Sequence, residues 1–457
     1  MPAPINKIPP EILALIPDFW DTYDRDQDII TLTHVCRAWR EVFVSRSSLW
    51  TNFDCLDEEK TRVYFERSKS SPINLSLDLS KGVSFCNPSF QIIPHATGRL
   101  KSLFVKAPTE DVEVVASHLS HPAPFLERLS ISSDPPLAHR DPVLPSTLFN
   151  GDLSSLRVLC LESVHTEFPW RKMLNLTSFT MSFIPPGVAS VGKLLDFFEN
   201  APYLEEVALR FAIPTAGAQN GRVVSLECLK SMHIGDDDPS VLLDHLLIPI
   251  DAKLEIQANV TTTLIGGCFP RSLDNLKNFS NFTTIRLHRT DMEFSGPNGR
   301  VRITLRTSRD GSTELTLESL AELDTSKTER LEIEDGDLRS KEPLYQALLP
   351  MKDLRTLTLS GRMSPEFLIR ALQPSTNSSE VMVCPKLEEF VLVFYPLSFW
   401  RDQSNITSIA EMAAARASRG GKLKTVKIFH RRGTANLDVS ELRKHVWNVE
   451  YARMNQL

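Results

Sequence analysis

The chain has 457 residues, room for two to four modules at roughly 100 to 200 residues each. With 42% hydrophobic and 24% charged residues, the composition excludes a disordered or collagen-like chain. Lys+Arg 51 against Asp+Glu 57 gives a net charge of -6, so no chain-wide footprint for nucleic acid or a membrane surface is written here.

The seven cysteines are odd in number and far apart, without a CxxC pair. That excludes a zinc knuckle or thioredoxin-type motif and fits thiols kept reduced. The N-terminus lacks the basic and apolar regions of a signal peptide, and no apolar run reaches about 18 residues. A cytoplasmic and/or nuclear chain without membrane or nucleic-acid partners is expected.

Pro9 and Pro10 precede Ile12, Leu13, Leu15 and Ile16, which predicts a short helix begun by proline and broken at Pro17. An aspartate-rich stretch from Asp18 to Asp28 reads as a solvated loop. From Ile29 apolar residues recur at 29, 32, 36, 39 and 43, the spacing of one helix over about four turns. Trp20, Trp39, Trp50, Phe19 and Phe43 then give this short segment more large apolar surface than it can hide alone.

Three blocks in this segment, Ile8-Pro9 with Glu11-Ile12-Leu13, Val35-Cys36-Arg37 with Trp39-Arg40, and Leu49-Trp50, resemble the F-box, a compact helical motif. The aspartate-rich insertion departs from the shorter form of that family. The resemblance implies docking on an S-phase kinase-associated adaptor and, through it, on the cullin of a ubiquitin ligase. It also implies adaptor contacts at Pro9, Leu13, Ile16, Leu32, Val35, Cys36 and Trp39.

After Trp50, Glu58 to Ser68 reads as a helix, followed by a polar turn ending at Pro72 and a strand from Ile73 to Leu79. Beyond it a motif recurs: leucine, a charged residue, any residue, apolar, any residue, apolar. Copies begin at Leu100, Leu126, Leu156, Leu204, Leu229, Leu354, Leu387 and Leu423, against a random expectation of about two. Weaker copies begin at Leu176, Phe282 and Thr328. Helical segments are expected at Ala189 to Asn200, Ser240 to Leu247, Glu342 to Leu349, Pro365 to Gln373 and Ile406 to Ser418. Strand followed by helix, repeated, is the pattern of a leucine-rich-repeat solenoid, with a doubly wound α/β sheet as the structural alternative. The asparagine that usually closes each such repeat is absent, which makes the solenoid irregular, of a kind found behind F-boxes in fungal proteins.

The fold class expected is therefore α/β: an all-α F-box (1–55), a connecting helix and turn (56–72), and a leucine-rich-repeat (β/α) solenoid (73–457). A hairpin region is expected around 285–320, turning at Asp310-Gly311.

No GxSxG, phosphate loop, GxGxxG or HExxH is present. The HxxH of His118 and His121 has no carboxylate in helical register, and Asp236-Asp237-Asp238 reads as a solvated loop or helix cap. No catalysis, metal or cofactor is expected. Recognition is better supported. Positions between the inward leucines face the open side of the solenoid, and Arg210, His233, Arg286, His288, Thr358, Val393, Phe394 and Lys427 are the candidates for a protein substrate there. The apolar run from Phe390 to Trp400 adds a candidate docking patch near the C-terminal end.

The function expected is the substrate-recognition subunit of a Skp–cullin–F-box ubiquitin ligase. The rivals are a ligase-independent scaffold that keeps the adaptor, and a small-molecule sensor using Lys422, Lys424, Lys427, Arg431 and Arg432.

Overall fold

The computed structural model describes residues 8–19, 25–55, 57–81, 88–134, 142–166, 173–184, 190–213, 221–236, 238–260, 275–288, 291–297, 299–307, 312–320, 323–334, 340–361, 365–374, 381–394, 403–430 and 438–453. The chain divides into two compact units, Met1–Leu204 and Glu205–Leu457.

The first unit opens with three helices, α1 (Pro10–Leu15), α2 (Arg25–Val35) and α3 (Arg37–Ser45). Pro9 occupies the N-cap of α1 and Pro10 its first turn, where a missing N–H breaks no helical bond. The single helix expected over 29–43 is two. Cys36 is extended, with φ -159° and ψ 174°, and the joint is held by the Arg40 Nε donating to the Thr33 carbonyl at 2.8 Å. The apolar spacing runs unbroken through this joint because α2 and α3 pack their apolar sides into one core. That core contains Leu13, Ile29, Leu32, Trp39, Phe43, Leu49 and Trp50.

Trp50 ties these three helices to a fourth. Its indole N–H donates to the Phe43 carbonyl at 3.0 Å, its ring meets Tyr64 edge-on at 5.0 Å, and the Arg67 guanidinium lies 4.4 Å above it. Tyr64 and Arg67 belong to α4 (Glu58–Ser68), whose N-cap Asp57 accepts from the Lys60 N–H. This is the helix read from the sequence.

The sheet of the first unit starts directly after Trp50. Its strands are β1 (Asn52–Asp54), β2 (Ile73–Asp78), β3 (Leu100–Ala107), β4 (Arg128–Ser133), β6 (Val158–Glu162) and β8 (Ser178–Ser182), with the two-residue strands β5 (Val143–Leu144) and β7 (His165–Thr166) paired beside them. The main strands pair in parallel in the order β1-β2-β3-β4-β6-β8. Helices α5 (Ile93–Ala96) and α6 (Thr109–His118) intervene, and α7 (Val191–Glu199) follows β8. The order never reverses, unlike that of a doubly wound sheet.

In the second unit β9 (Glu206–Arg210), β11 (Ser231–Asp236), β13 (Lys253–Val260) and β16 (Gly299–Thr307) pair in parallel. Two-residue strands β10 (Val224–Ser225) and β12 (Leu246–Leu247) pair alongside. Then β14 (Thr284–His288), β15 (Asp291–Gly296) and β16 form an antiparallel meander. From β14 the sheet continues in parallel through β17 (Arg330–Glu334), β18 (Thr356–Gly361), β19 (Glu389–Phe394), β20 (Thr425–His430) and β21 (Asn448–Arg453). Its helices are α8 (Ser240–Leu243), α9 (Ser312–Leu320), α10 (Glu342–Leu348), α11 (Glu366–Leu372), α12 (Gln403–Ser418) and α13 (Ser440–His445).

The antiparallel region therefore lies at 284–307 rather than around Asp310-Gly311, and 312–320 is helix rather than a second strand. The alternating residues of STELTLESL also satisfy a helix, with Thr316, Leu317 and Leu320 all buried. The expected turn residues Asp310 and Gly311 lie outside the described residues. The segment expected as helix from Ser240 to Leu247 is a single turn, α8, followed by the paired strand at Leu246–Leu247.

Every strong repeat copy supplies a strand, and its leading leucine is buried: Leu100, Leu126, Leu156, Leu204, Leu229, Leu354, Leu387 and Leu423. In six of the eight copies the charged residue after that leucine pairs with that of the neighbouring copy. Lys101 lies 3.7 Å from Glu127 and Lys230 2.7 Å from Glu205, while Lys424 lies 2.7 Å from Glu388.

At several strand ends the backbone turns into the left-handed region without glycine, at Ser163, Phe183 and Phe211. Two of these keep a bond to the neighbouring strand, Ser163 N–H to the Ser182 carbonyl at 2.9 Å and Phe211 N–H to the Gly235 carbonyl at 2.5 Å. These bonds hold the strand exits that an asparagine would hold in a regular repeat. Asn278, by contrast, serves a strand entrance, its buried Nδ2 donating to the carbonyls of Pro249, Ile250 and Ala252 just ahead of β13.

Arg416 on α12 is fully buried and serves as a clamp. Nη1 donates to the Leu372 and Val383 carbonyls at 3.3 and 2.9 Å, and Nη2 to the Cys384 carbonyl at 2.7 Å. Burial holds its pKa below the ordinary guanidinium value. An Arg416→Met variant leaves three buried acceptors without a donor, and should lose about 2–4 kcal/mol of stability. Arg37→Met, which breaks an exposed pair with Glu41, should change it by less than about 0.5 kcal/mol; thermal or urea melting of both variants checks the contrast.

Burial pushes the thiols of Cys55 and Cys384 up to about 12. Their contribution to stability is full below the ordinary thiol range and is lost as pH rises towards about 12. Iodoacetamide at pH 8 should accordingly label the exposed Cys36 and Cys228 of the native chain and leave Cys55 and Cys384 unmodified until denaturant is added; peptide mass mapping reads this directly.

Candidate functional site

The three N-terminal helices divide their apolar residues between two tasks. Leu13, Leu32 and Trp39 are 4%, 8% and 7% exposed and belong to the internal core. Trp39 packs edge-on against Phe43 with centroids 5.7 Å apart. Other apolar side chains point outward: Ile12 is 55% exposed, Leu15 46%, Ile30 37% and Val35 52%. Beside them Pro9, Ala38 and Cys36 are exposed and Ile16 is half-buried. Four large aliphatic groups left in water on such a small module are candidates for contact with another protein.

Of the residues expected at an adaptor interface, the structure puts Pro9, Val35 and Cys36 on the surface, Ile16 at its margin, and Leu13, Leu32 and Trp39 beneath. Ile12, Leu15 and Ile30 carry the exposed apolar area and were not singled out. Their signal was present for the first pair, since 12 and 15 lie three apart on one side of α1, opposite the buried Leu13. Between α1 and α3 lies a groove of about 470 Å³, lined by Ile8, Pro10, Leu13, Ala38, Trp39, Glu41, Val42 and Ser45. Buried Leu13 and Trp39 form its floor.

The second candidate surface is the open face of the second unit's sheet. Strand register lines up one row across it: Ala208, His233, Glu255, Arg302, Glu293, Arg286, Glu332, Thr358, Val391, Lys427 and Glu450. The structure thus brings His233, Arg286, Thr358 and Lys427 into a single row. Arg210, His288 and Val393 stand in the adjacent row. Phe394 ends β19, and its side chain, like the rest of the apolar run to Trp400, lies outside the described residues.

Charges on this face neutralise one another. Arg286 Nε lies 2.8 Å from Glu332, and Arg300 and Arg302 bind Glu293 and Asp291 at 2.7 and 3.2 Å. Lys253 lies 2.8 Å from Glu255, which His233 approaches at 3.4 Å. The hydrogen bond from Lys253 is the main reason that the Glu255 carboxyl is held below its ordinary pKa.

Of the basic residues that a small-anion sensor would use, Lys424 is paired with Glu388 and Lys427 with Glu389 at 2.7 and 2.8 Å. Lys422 lies 5.8 Å from the Trp447 ring. Arg431 and Arg432 lie outside the described residues. Among the described residues no cluster of metal-ligating side chains occurs, and no helix is long and apolar enough to cross a membrane. Asp236 Oδ2 accepts from the Ala212 and Ile213 N–H groups at 3.0 and 2.8 Å. Asp238 accepts from Ser240, so both act as local loop and cap acceptors. Asp237 lies outside the described residues.

The Arg286–Glu332 pair is half in solvent, with side-chain exposures of 54% and 29%. A double-mutant cycle with Arg286→Ala and Glu332→Ala should give a coupling of only about 0.2–1 kcal/mol that shrinks in salt, as for other exposed pairs; urea melts of the four proteins measure it.

A family model described as F-box-like matches residues 5–56, the segment that contains the exposed aliphatic surface. No curated protein matches the chain.

Proposed function

We propose that this chain is the substrate-receptor subunit of a Skp–cullin–F-box ubiquitin ligase, working in the cytoplasm or nucleus. In this reading the helices within residues 5–56 dock on an S-phase kinase-associated adaptor. The following strands and helices form an irregular leucine-rich-repeat solenoid whose open face receives a protein substrate. The chain contributes proximity and orientation, and the ubiquitin-transfer chemistry belongs to other subunits.

The observation that carries the reading is the exposed set Ile12, Leu15, Ile30 and Val35, which coincides with the F-box-like match. Support for the solenoid comes from the unreversed parallel strand order in the first unit and from the buried leucine that opens each repeat copy. Pairing of the lysines on the open face speaks for a protein surface there rather than a small polyanion.

The test uses surface variants that spare the core. Ile12→Glu/Val35→Glu should reduce adaptor co-purification at least about tenfold, since two interface centres would carry buried charge, while circular dichroism and melting stay as in the wild type. Leu13→Ala/Trp39→Ala should instead lower the melting temperature of the module, because both side chains are internal. In the adaptor complex, Cys36 should also be protected from the alkylation that it undergoes in the free chain. A wild-type complex containing neither adaptor nor cullin sinks the proposal. Adaptor without cullin, and no turnover of bound partners, would leave the scaffold role in its place.

A further inference from the structure

The open sheet face of the second unit is not uniform, and its C-terminal half is specific in chemistry. From β17 to β21 the outward positions hold Arg330, Glu332 and Glu334; Thr356, Thr358 and Ser360; Glu389, Val391 and Val393; Thr425, Lys427 and Phe429; and Asn448, Glu450 and Ala452. Val391, Val393, Phe429 and Ala452 are partly exposed and make an apolar strip where the strands before them carry ion pairs.

The charges around the strip leave a surplus. Both cations are committed to carboxylates of this face, Arg330 to Glu332 at 3.8 Å and Lys427 to Glu389 at 2.8 Å. Glu334 and Glu450 are both exposed, and among the described residues neither has a lysine or arginine within ion-pair distance; Lys427, which Glu389 holds, lies beside Glu450 in register and attracts it only from further off. Glu450 accepts from the Asn448 amide at 3.0 Å. Glu334 stands on β17 and Glu450 on β21, on either side of the strip. Four strand spacings separate them, about 19 Å, which is the length of about six residues of extended chain.

We propose that this face binds an extended protein segment with apolar side chains at its centre and a lysine or arginine towards each end. The apolar side chains would cover Val391, Val393 and Phe429, and the cations would meet Glu334 and Glu450. The proposal rests on the reading that the open face receives a protein substrate, and it names that substrate's chemistry. An acid-ended segment would place like charges against both glutamates, so the same two residues exclude as well as attract.

The probe is a fluorescein-labelled peptide, Lys-Thr-Val-Thr-Val-Thr-Lys, whose two lysines and two valines share one face of an extended chain, offered to the full chain beside one with glutamate at both ends and one with serine for both valines. Exchanging two weak attractions for two repulsions should separate the lysine-ended from the glutamate-ended peptide by about tenfold in fluorescence polarisation. The serine peptide should also bind more weakly. Glu334→Gln/Glu450→Gln, melting as the wild type does, should lose the preference for lysine and keep that for valine. Val391→Ser/Val393→Ser should do the reverse. Equal binding of the three peptides, or a lysine preference that survives in Glu334→Gln/Glu450→Gln, overturns the proposal. Adaptor capture is measured on the same preparation. Capture without lysine preference removes this proposal and leaves the ligase reading standing, whereas lysine preference without capture does the opposite.

Discussion

Parallel strand register is the constraint on which the rest of each sheet depends. A parallel ladder fixes which residue of one repeat lies beside which residue of the next. Once Ser102 pairs with Arg128 and Arg128 with Val158, Leu100, Leu126 and Leu156 must fall into one buried column. A slip by one residue would turn the whole set to solvent. The charge after each leucine reinforces the same register at the strand entrance, as between Lys101 and Glu127, Glu205 and Lys230, and Glu388 and Lys424. Opposite signs on successive repeats reward correct stacking and penalise a skipped repeat. These exposed pairs add little stability individually; their contribution is order.

Register also explains which features were legible. The leucine and the charge are local and repeated, so the strong copies could be read as strands, and α4 could be read from Asp57 and its amphipathic stretch. Copies without a leading leucine are legible only where the rest of the pattern survives, as at Phe282 and Thr328; two others escape. Ahead of the strand holding Leu254 and Ile256, Asp251 stands where the leading leucine would be, and ahead of the one holding Val449 stand Val446 and Trp447. Their core residues occupy the right register, yet nothing in one sequence marks it. The joint at Cys36 escaped for another reason: two helices that meet end to end around a common core preserve apolar spacing across the break. Alternation running on through 312–320 predicts a hairpin turning at 310–311, whereas the structure has a three-stranded meander at 284–307 and makes 312–320 a helix that tertiary packing selects.

The N-terminal module shows why site residues were harder to read than fold. Motif residues such as Leu13, Trp39 and Trp50 are the ones that a compact helical unit needs for its own core, and the structure places them there. Docking would need a second set that the core does not consume, and Ile12, Leu15, Ile30 and Val35 are the large aliphatic residues left exposed. One helix serves both because Leu13 and Ile12 project about 100° apart. Recognisability and contact are thus carried by different residues, although each position has the same chemistry.

The two surfaces rest on different physics. The helical one exposes large aliphatic side chains among charged ones such as Glu11, Arg37 and Glu41, so any complex made there would draw mainly on lost water. On the sheet of the second unit almost every charge already has a partner, so binding there gains little from general attraction and exposes an ill-matched ligand to ion pairs that it cannot replace. Specificity then falls to the few positions where the lattice is incomplete. Across β17 to β21 those positions are the strip of Val391, Val393 and Phe429 and the carboxylates of Glu334 and Glu450. The proposed ligand, with two cations at the right separation around an apolar centre, is one that such a face would accept while its satisfied salt bridges disfavour others.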